Sequence, residues 1–204
     1  GTKMYSTKYV KAKDVSIAAS IVTDAEDGKF LAGGMTLIPT MKQRLASPDC
    51  LVDLAGCGLT GIEDEGATIR IGAMSRHVDV SESAVIQREI PAIASLASQI
   101  GDRQVRNRGT IGGSVANNDP AADYPAACVA LRATIKTDRR EIGADGCHGV
   151  FRLHTQGGVR KRNGLHGVAD TGTHVIELPR VRGRKHFGLH RIGLYLLPRI
   201  DAIA

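Results

Sequence analysis

The sequence predicts a protein of mixed α/β or α+β class, and three observations carry that prediction. Apolar residues recur at helical spacing in several stretches, compact apolar runs of strand length alternate with them, and glycine, aspartate and proline mark the joins. The chain has 204 residues, 42% of them hydrophobic, enough for one sizeable domain or two small ones. Aromatic residues make up only 3% and tryptophan is absent, so the core has to be aliphatic. The stacking platforms of a single-strand nucleic-acid binder are missing for the same reason, and nucleic acid is not expected as a partner.

In chain order, Asp14 is suited to cap a helix with apolar positions Val15, Ala18, Ala19 and Val22, and Asp27-Gly28 to end it. Residues 29–32 read as a short strand running into Gly33-Gly34. "MTLIPTMKQRL" resumes an amphipathic pattern interrupted by Pro39, and "CLVDLA" has the length of a strand. In "GIEDEGATIRIGAM", Asp64, Glu65 and Gly66 predict a turn between two strands. "VDVSESAVIQREIPAIASLASQI" reads as helical, with Pro91 in the first turn of a second helix and Gly101 at its end. "TIGGSVANNDPAAD" reads as a loop, "YPAACVALRA" as a helix, and "TIKTDRREI" as strand, turn and strand.

The net charge of +6 is unevenly placed. Up to Ile142 there are 17 basic and 17 acidic residues; from Gly143 onward there are 10 basic and 4 acidic, together with six of the seven histidines. The chain changes character near residue 143. No run of 18 apolar residues occurs and no apolar segment follows the N-terminal lysine, so a cytoplasmic protein without membrane insertion is expected. The four cysteines include no CxxC pair, which argues against an iron–sulfur or zinc site built from this chain alone.

Three glycine-rich stretches are candidates for ligand binding. "GCGLTG", residues 56–61, fits GxGxxG and follows an apparent strand, but it leads into acidic, turn-rich and then β-like sequence. A dinucleotide fingerprint has to open a helix, so a plain loop is the better reading. The other two are "LAGGMTLIP" (31–39) and "TIGGSVANNDPAAD" (110–123). Glycine lets a ligand approach the main chain, and successive N–H groups can then bind an anion without lysine. Thr36, Thr110 and Ser114 would add hydroxyls and Asp123 an acceptor for ribose. The alternative is that both are tight turns whose glycines serve backbone geometry alone. His77 is read as a helix-start or packing residue, and Arg103, Arg106 and Arg108 as a solvated or subunit-facing cluster that could steer an anionic cofactor.

These two stretches, in this order and at this separation, resemble the flavin-binding signatures of the FAD-binding medium subunit of molybdenum hydroxylases, the group of aerobic carbon monoxide dehydrogenase and xanthine dehydrogenase. Members read much like "LLAGGxSLIPLMKLRL" and "TIGGNxAxADPAADLP"; this chain has "FLAGGMTLIPTMKQRL" and "TIGGSVANNDPAADYP". The likeness continues through "CLVDLAG", "IRIGAMSRHVDV" and "IPAIASLASQIGDRQVRNRGTIGG", from Tyr9 to Ile142. It implies an α+β, two-subdomain FAD-binding fold of the p-cresol methylhydroxylase type. Leu31, Ala32, Gly33, Gly34, Met35, Thr36, Leu37 and Ile38 would hold the FAD diphosphate from one side, and Thr110, Ile111, Gly112, Gly113 and Ser114 from the other. Asp123 would meet the adenosine portion. Members often carry asparagine where Ser114 stands. The resemblance also implies partners: a large subunit with the molybdenum cofactor, where substrate is oxidised, and a small [2Fe-2S] subunit feeding electrons through FAD to an external acceptor. It assigns no catalytic acid or base and no metal ligand to this chain.

Three regions follow: residues 1–56 as an N-terminal α/β FAD-binding subdomain, residues 57–142 as a second and incomplete one, and residues 143–204 as an atypical basic tail rich in glycine, arginine and histidine. The tail shows no sustained period of 2 or 3.6 and does not resemble the family. It reads as the product of a frame shift near residue 143, or as a basic nucleic-acid-binding extension. In the first case the chain would be a truncated, non-catalytic product of a degraded gene. His186 and His190 stand four apart, but Gly188 lies between them and no third ligand is indicated.

Overall fold

The Asp14 carboxylate accepts a hydrogen bond from the Ile17 N–H at 2.9 Å and opens helix α1 (Val15–Asp24), the start its sequence predicts. The computed structural model describes residues 6–119, 121–144 and 175–179. Helix α1 connects β1 (Lys8–Lys11) to β2 (Gly28–Leu31), and α2 (Leu37–Lys42) connects β2 to β3 (Cys50–Asp53). The three strands are parallel in the order β1-β3-β2, with Val10, Val52 and Phe30 in register. A small core of Ala12, Ala18, Cys50, Val52 and Leu54 joins this sheet to α1. Pro39 does not interrupt its segment. It is the third residue of α2, a position whose N–H has no intrahelical acceptor to lose.

The second sheet is antiparallel throughout. Strands β4 (Ile62–Asp64) and β5 (Thr68–Gly72) form the predicted hairpin, turning at Gly66 with φ 82°. Strands β6 (Thr134–Lys136), β7 (Glu141–Gly143) and β8 (Val175–Pro179) complete the order β4-β5-β8-β6-β7. The middle strand therefore comes from the region beyond residue 143. From Ile176 onward its residues alternate as a half-buried strand should: Ile176 and Leu178 are fully buried, while Glu177 pairs in register with Arg70 and reaches Lys136 Nζ at 2.6 Å. Lys136 also meets Glu141 at 3.2 Å, and Arg70 meets Glu63 at 3.1 Å, so charges of alternating sign cross the outer face. The rest of the tail, including His186 and His190 and the frame-shift expectation for those residues, lies outside the described residues.

The helical region after β5 is divided into α3 (His77–Glu82), α4 (Ala84–Glu89) and α5 (Pro91–Ser98). Ser83 caps α4 by accepting from the Ile86 N–H, and Ile90 is pushed out of helical geometry by the proline that follows it. Gln99, not Gly101, caps α5. The sequence reading missed α6 (Arg103–Arg108), capped by Asp102. It also took residues 111–117 as loop, whereas Ile111–Asn117 is helix α7, capped by Thr110 and ended by Asn118 at φ 49°. Helix α8 (Asp123–Ala130) follows. These helices and the inner face of the second sheet share a core that includes Ile69, Ile71, Ile93, Ile111, Ile135 and Ile176. Residues 56–61 join β3 to β4 and open no helix, and the Gly61 N–H is held by Ser75 Oγ at 3.2 Å. The GxGxxG match is thus a structural loop. Among the described residues no helix is long and apolar enough to cross a membrane.

Candidate functional site

A cleft of about 450 Å³ opens between the two parts of the fold. Ala32 to Leu37, the turn leading from β2 into α2, lines one wall. Gly109 and Thr110, with Gly112, Gly113 and Ser114 from the start of α7, line the other. The walls meet at their glycines: a Cβ built on Gly113 would lie 3.4 Å from the Ala32 Cβ, and the Gly33 main chain packs directly on Arg108 and Gly109.

The two walls differ in what their main chains can offer. On the first, the Leu31 carbonyl accepts from Leu54 N–H at 3.1 Å, and the next donors are Ile38 N–H to Gly34 O and Thr40 N–H to Thr36 O. The N–H groups of Gly33, Gly34, Met35, Thr36 and Leu37 have no acceptor among the described residues. Gly34 turns the chain at φ 73°, the kind of backbone that makes an anion-binding concavity from successive amides.

On the second wall the amides are already used. Ile111 donates to Ser75 O at 3.1 Å, Gly112 to Ala73 O at 2.9 Å, Gly113 to Thr110 Oγ1 at 3.1 Å and Ser114 to Thr110 O at 3.0 Å. The expectation that both glycine pairs present bare amides is corrected here. Gly112 serves close packing instead, since a Cβ on it would lie 2.4 Å from the Ala73 Cβ. What this wall offers are hydroxyls. Thr110 Oγ1 accepts from Gly113 but keeps its O–H to donate, and Ser114 stands half-buried on the cleft.

The lining also includes Asn117, Asp119 and Asp123, exposed acceptors suited to ligand hydroxyls. His77 and Tyr124 also belong to the lining, stacked with ring centroids 5.3 Å apart. Both are buried, at 5% and 2% exposure, and the His77 Nδ1 and Tyr124 hydroxyl have no hydrogen-bond partner among the described residues. Burial pulls the His77 pKa down to about 4 and pushes the Tyr124 phenol above its ordinary range, so both rings are uncharged at neutral pH.

Of the residues singled out from sequence, Leu31, Ile38 and Ile111 are not in the lining. Leu31 and Ile38 place side chains against Gly34, within 3.2 Å and 3.1 Å of where its Cβ would be, and Ile111 is fully buried in the main core. The other residues that the resemblance assigns to FAD line the cleft. None of Arg103, Arg106 and Arg108 lends a side chain to it, and Arg106 straps the turn before α6 by donating to the Ile100 and Gly101 carbonyls. Sequence reasoning missed Lys29, which lines the cleft and pairs with Asp27 at 3.0 Å, and it missed the His77–Tyr124 stack. Lys29 was legible as the cation leading into the glycine turn. The stack was not, because nothing local connects its two residues.

Comparison with known proteins agrees with this geometry. The family model described as the FAD binding domain in molybdopterin dehydrogenase matches residues 4–144. The carbon monoxide dehydrogenase medium chain of Hydrogenophaga pseudoflava is 41% identical over 145 residues, covering 68% of this chain and 50% of that protein. The nicotine 6-hydroxylase medium subunit of Paenarthrobacter nicotinovorans is 34% identical over 148 residues, covering 70% of this chain and 52% of that protein. The chain thus spans about half the length of the curated relatives it matches. A solved structure of the Hydrogenophaga pseudoflava carbon monoxide dehydrogenase, lacking the Mo-pyranopterin moiety of its cofactor, matches with a TM-score of 0.74 at 34% identity. That match covers 86% of this chain and 59% of the other. The fold is the α+β, two-part FAD-binding fold that the resemblance implies, FAD is its cofactor, and the chain belongs to the family of FAD-binding domains of molybdopterin dehydrogenases.

Proposed function

We propose that this chain is the FAD-binding subunit of a multi-subunit molybdenum hydroxylase, passing electrons from iron–sulfur clusters of a partner to an external acceptor. The observation that carries the reading is the cleft itself, with amides unclaimed among the described residues on one wall, hydroxyls on the other and carboxylates in its lining. A dinucleotide carries the complementary groups, a diphosphate and ribose hydroxyls.

In this reading Gly33 to Leu37 donate amides to the diphosphate, and Thr110 and Ser114 add hydroxyl donors from the opposite wall. Asp123, exposed in the first turn of α8, accepts from ribose hydroxyls. Bound FAD would supply the redox chemistry, taking up and giving up electrons at its ring. The protein's part is to bind, orient and electrostatically tune the flavin, so no acid or base is assigned.

The partners proposed are a large molybdenum-cofactor subunit and a small [2Fe-2S] subunit, in line with relatives named as medium chains or medium subunits. A cytoplasmic setting goes with this reading, supported by Cys50 and Cys57, which form no disulfide among the described residues. We also propose a subdomain boundary near residue 56, with Val175–Pro179 belonging to the second subdomain.

Reconstitution tests the proposal. The purified chain should take up one FAD, turn yellow and quench the free flavin's fluorescence, while NAD leaves it unchanged. Gly58→Val should cost stability, because Gly58 sits at φ 67°, but should barely alter the FAD affinity of the folded protein, because Gly58 lies outside the cleft. Colourless protein that cannot be reconstituted would favour the degraded-gene product instead.

A further inference from the structure

The second wall presents a problem of charge. The amides of Ile111 to Ser114 are committed within the protein, and no arginine side chain of α6 lines the cleft. A diphosphate gripped on its first side by amides therefore needs other donors opposite. Among the described residues His77 and the Tyr124 hydroxyl carry unassigned donors there, and it is the His77 ring that packs on the Gly109 main chain of that wall. His77 is nine-tenths buried, lines the cleft, and stacks on Tyr124 with its backbone N–H held by the Gly109 carbonyl at 3.0 Å.

The position of its proton follows from its surroundings. A neutral imidazole has one N–H, and an N–H buried without an acceptor costs the full desolvation of that group. Nδ1 is buried and has no partner among the described residues, so a proton there would go unsatisfied. Nε2 lies at the Gly109 main chain, 2.6 Å from where a Cβ on that residue would stand, and Gly109 is part of the lining. The proton is best kept on Nε2, where the cleft's contents can accept it.

We propose that His77 is a further binding residue of this cleft, an uncharged imidazole whose Nε2–H donates to a phosphate oxygen of the ligand beside Gly109. This rests on the reading of the cleft as an FAD site and adds to it a donor that neither glycine signature contains. The same wall then holds the anion with three uncharged donors, the Thr110 and Ser114 hydroxyls and the His77 ring. Burial against Tyr124 keeps that ring neutral, so its grip does not depend on a proton gained at physiological pH.

Two substitutions separate this role from packing. His77→Gln and His77→Asn both remove the ring and its stack on Tyr124, but only glutamine can place an amide N–H where Nε2 stands. Asparagine reaches only as far as Nδ1. FAD affinity of the reconstituted chain, followed by flavin fluorescence, should stay within about threefold of the parent for His77→Gln. It should fall about tenfold or more for His77→Asn, the effect of one hydrogen bond to a charged group. Thermal melting of the two FAD-free variants should drop by similar amounts, and ADP should repeat the affinity order, since it carries the diphosphate without the flavin. Equal FAD affinities in the two variants, with the parent binding normally, would overturn the inference alone. A parent chain that binds neither FAD nor ADP would overturn the reading of the cleft and the inference with it.

Discussion

Gly33 and Arg108 touch main chain to main chain across the cleft: a Cβ built on Gly33 would lie 2.1 Å from the Arg108 carbonyl oxygen. The same Cβ would lie 2.7 Å from the Gly109 Cα. No rotamer relieves a clash between two backbones. Gly33→Ala should therefore push the walls apart, lowering stability by about 1–3 kcal/mol and FAD affinity by at least tenfold. Urea unfolding and flavin titration of the same preparation would check both.

Gly34 makes a different demand. Its φ of 73° is left-handed, and its Cβ would meet the Ile38 Cγ1 at 3.1 Å and the Leu31 Cδ1 at 3.2 Å, side-chain atoms and no backbone. Gly34→Ala should cost about 1–2 kcal/mol, chiefly from backbone strain. FAD affinity should fall as well, because relaxing that strain turns the amides that follow away from a common centre. Melting temperatures with and without FAD would separate the two effects.

Thr110 combines a structural and a binding role. It caps α7 through Gly113 N–H and is only 4% exposed at the cleft. Thr110→Val removes both the cap and the hydroxyl, at a cost of about 1 kcal/mol in stability and a measurable loss of FAD affinity. Thr110→Ser, which keeps the hydroxyl, should recover most of both in the same melting and titration assays.

The stack of His77 on Tyr124 predicts a pH dependence. The His77 pKa is lowered from 6.5 to about 4 in the folded protein, so the unfolded chain binds more protons between those values. Stability from this group is fully present above pH 6.5 and is lost as pH falls toward 4. The loss reaches up to about 3 kcal/mol, from the free energy of a pKa shift. His77→Gln does not titrate, so the difference between parent and variant in urea midpoints at pH 7 and pH 4.5 should isolate the effect. A difference that stays constant with pH would count against it.

Strand β8 should be essential to the second sheet, although it lies in the least readable part of the chain. Ile176 is fully buried and pairs with Ile71 on one side and Ile135 on the other. Ile176→Ala should cost about 2–5 kcal/mol, the range for an isoleucine truncated in a core. Chemical denaturation followed by far-UV circular dichroism would measure it.

What could be read from sequence was local. Asp14 caps α1, Gly66 turns the β4–β5 hairpin and Gly34 turns the cleft's first wall, each because one residue's chemistry meets a need within three or four residues. The two glycine signatures were also visible, and most of their residues do line one cleft. Helix α7 was missed for the same reason: Gly112, Gly113 and Ser114 are weak helix formers, and only the Thr110 cap and packing on Ala73 make a helix of them.

The sequence by itself determined a mixed α/β or α+β organisation, a resemblance to the FAD-binding family and which segments line the cleft, since caps, turns and motif spacing act over short stretches of chain. The tertiary structure alone decided that β8 inserts between β5 and β6, that His77 lies under Tyr124, and that one glycine wall has amides without acceptors among the described residues while the other has spent them. Strand pairing, ring stacking and the choice of a hydrogen-bond acceptor join residues far apart in the chain, and which of many possible partners wins depends on the whole core being packed at once.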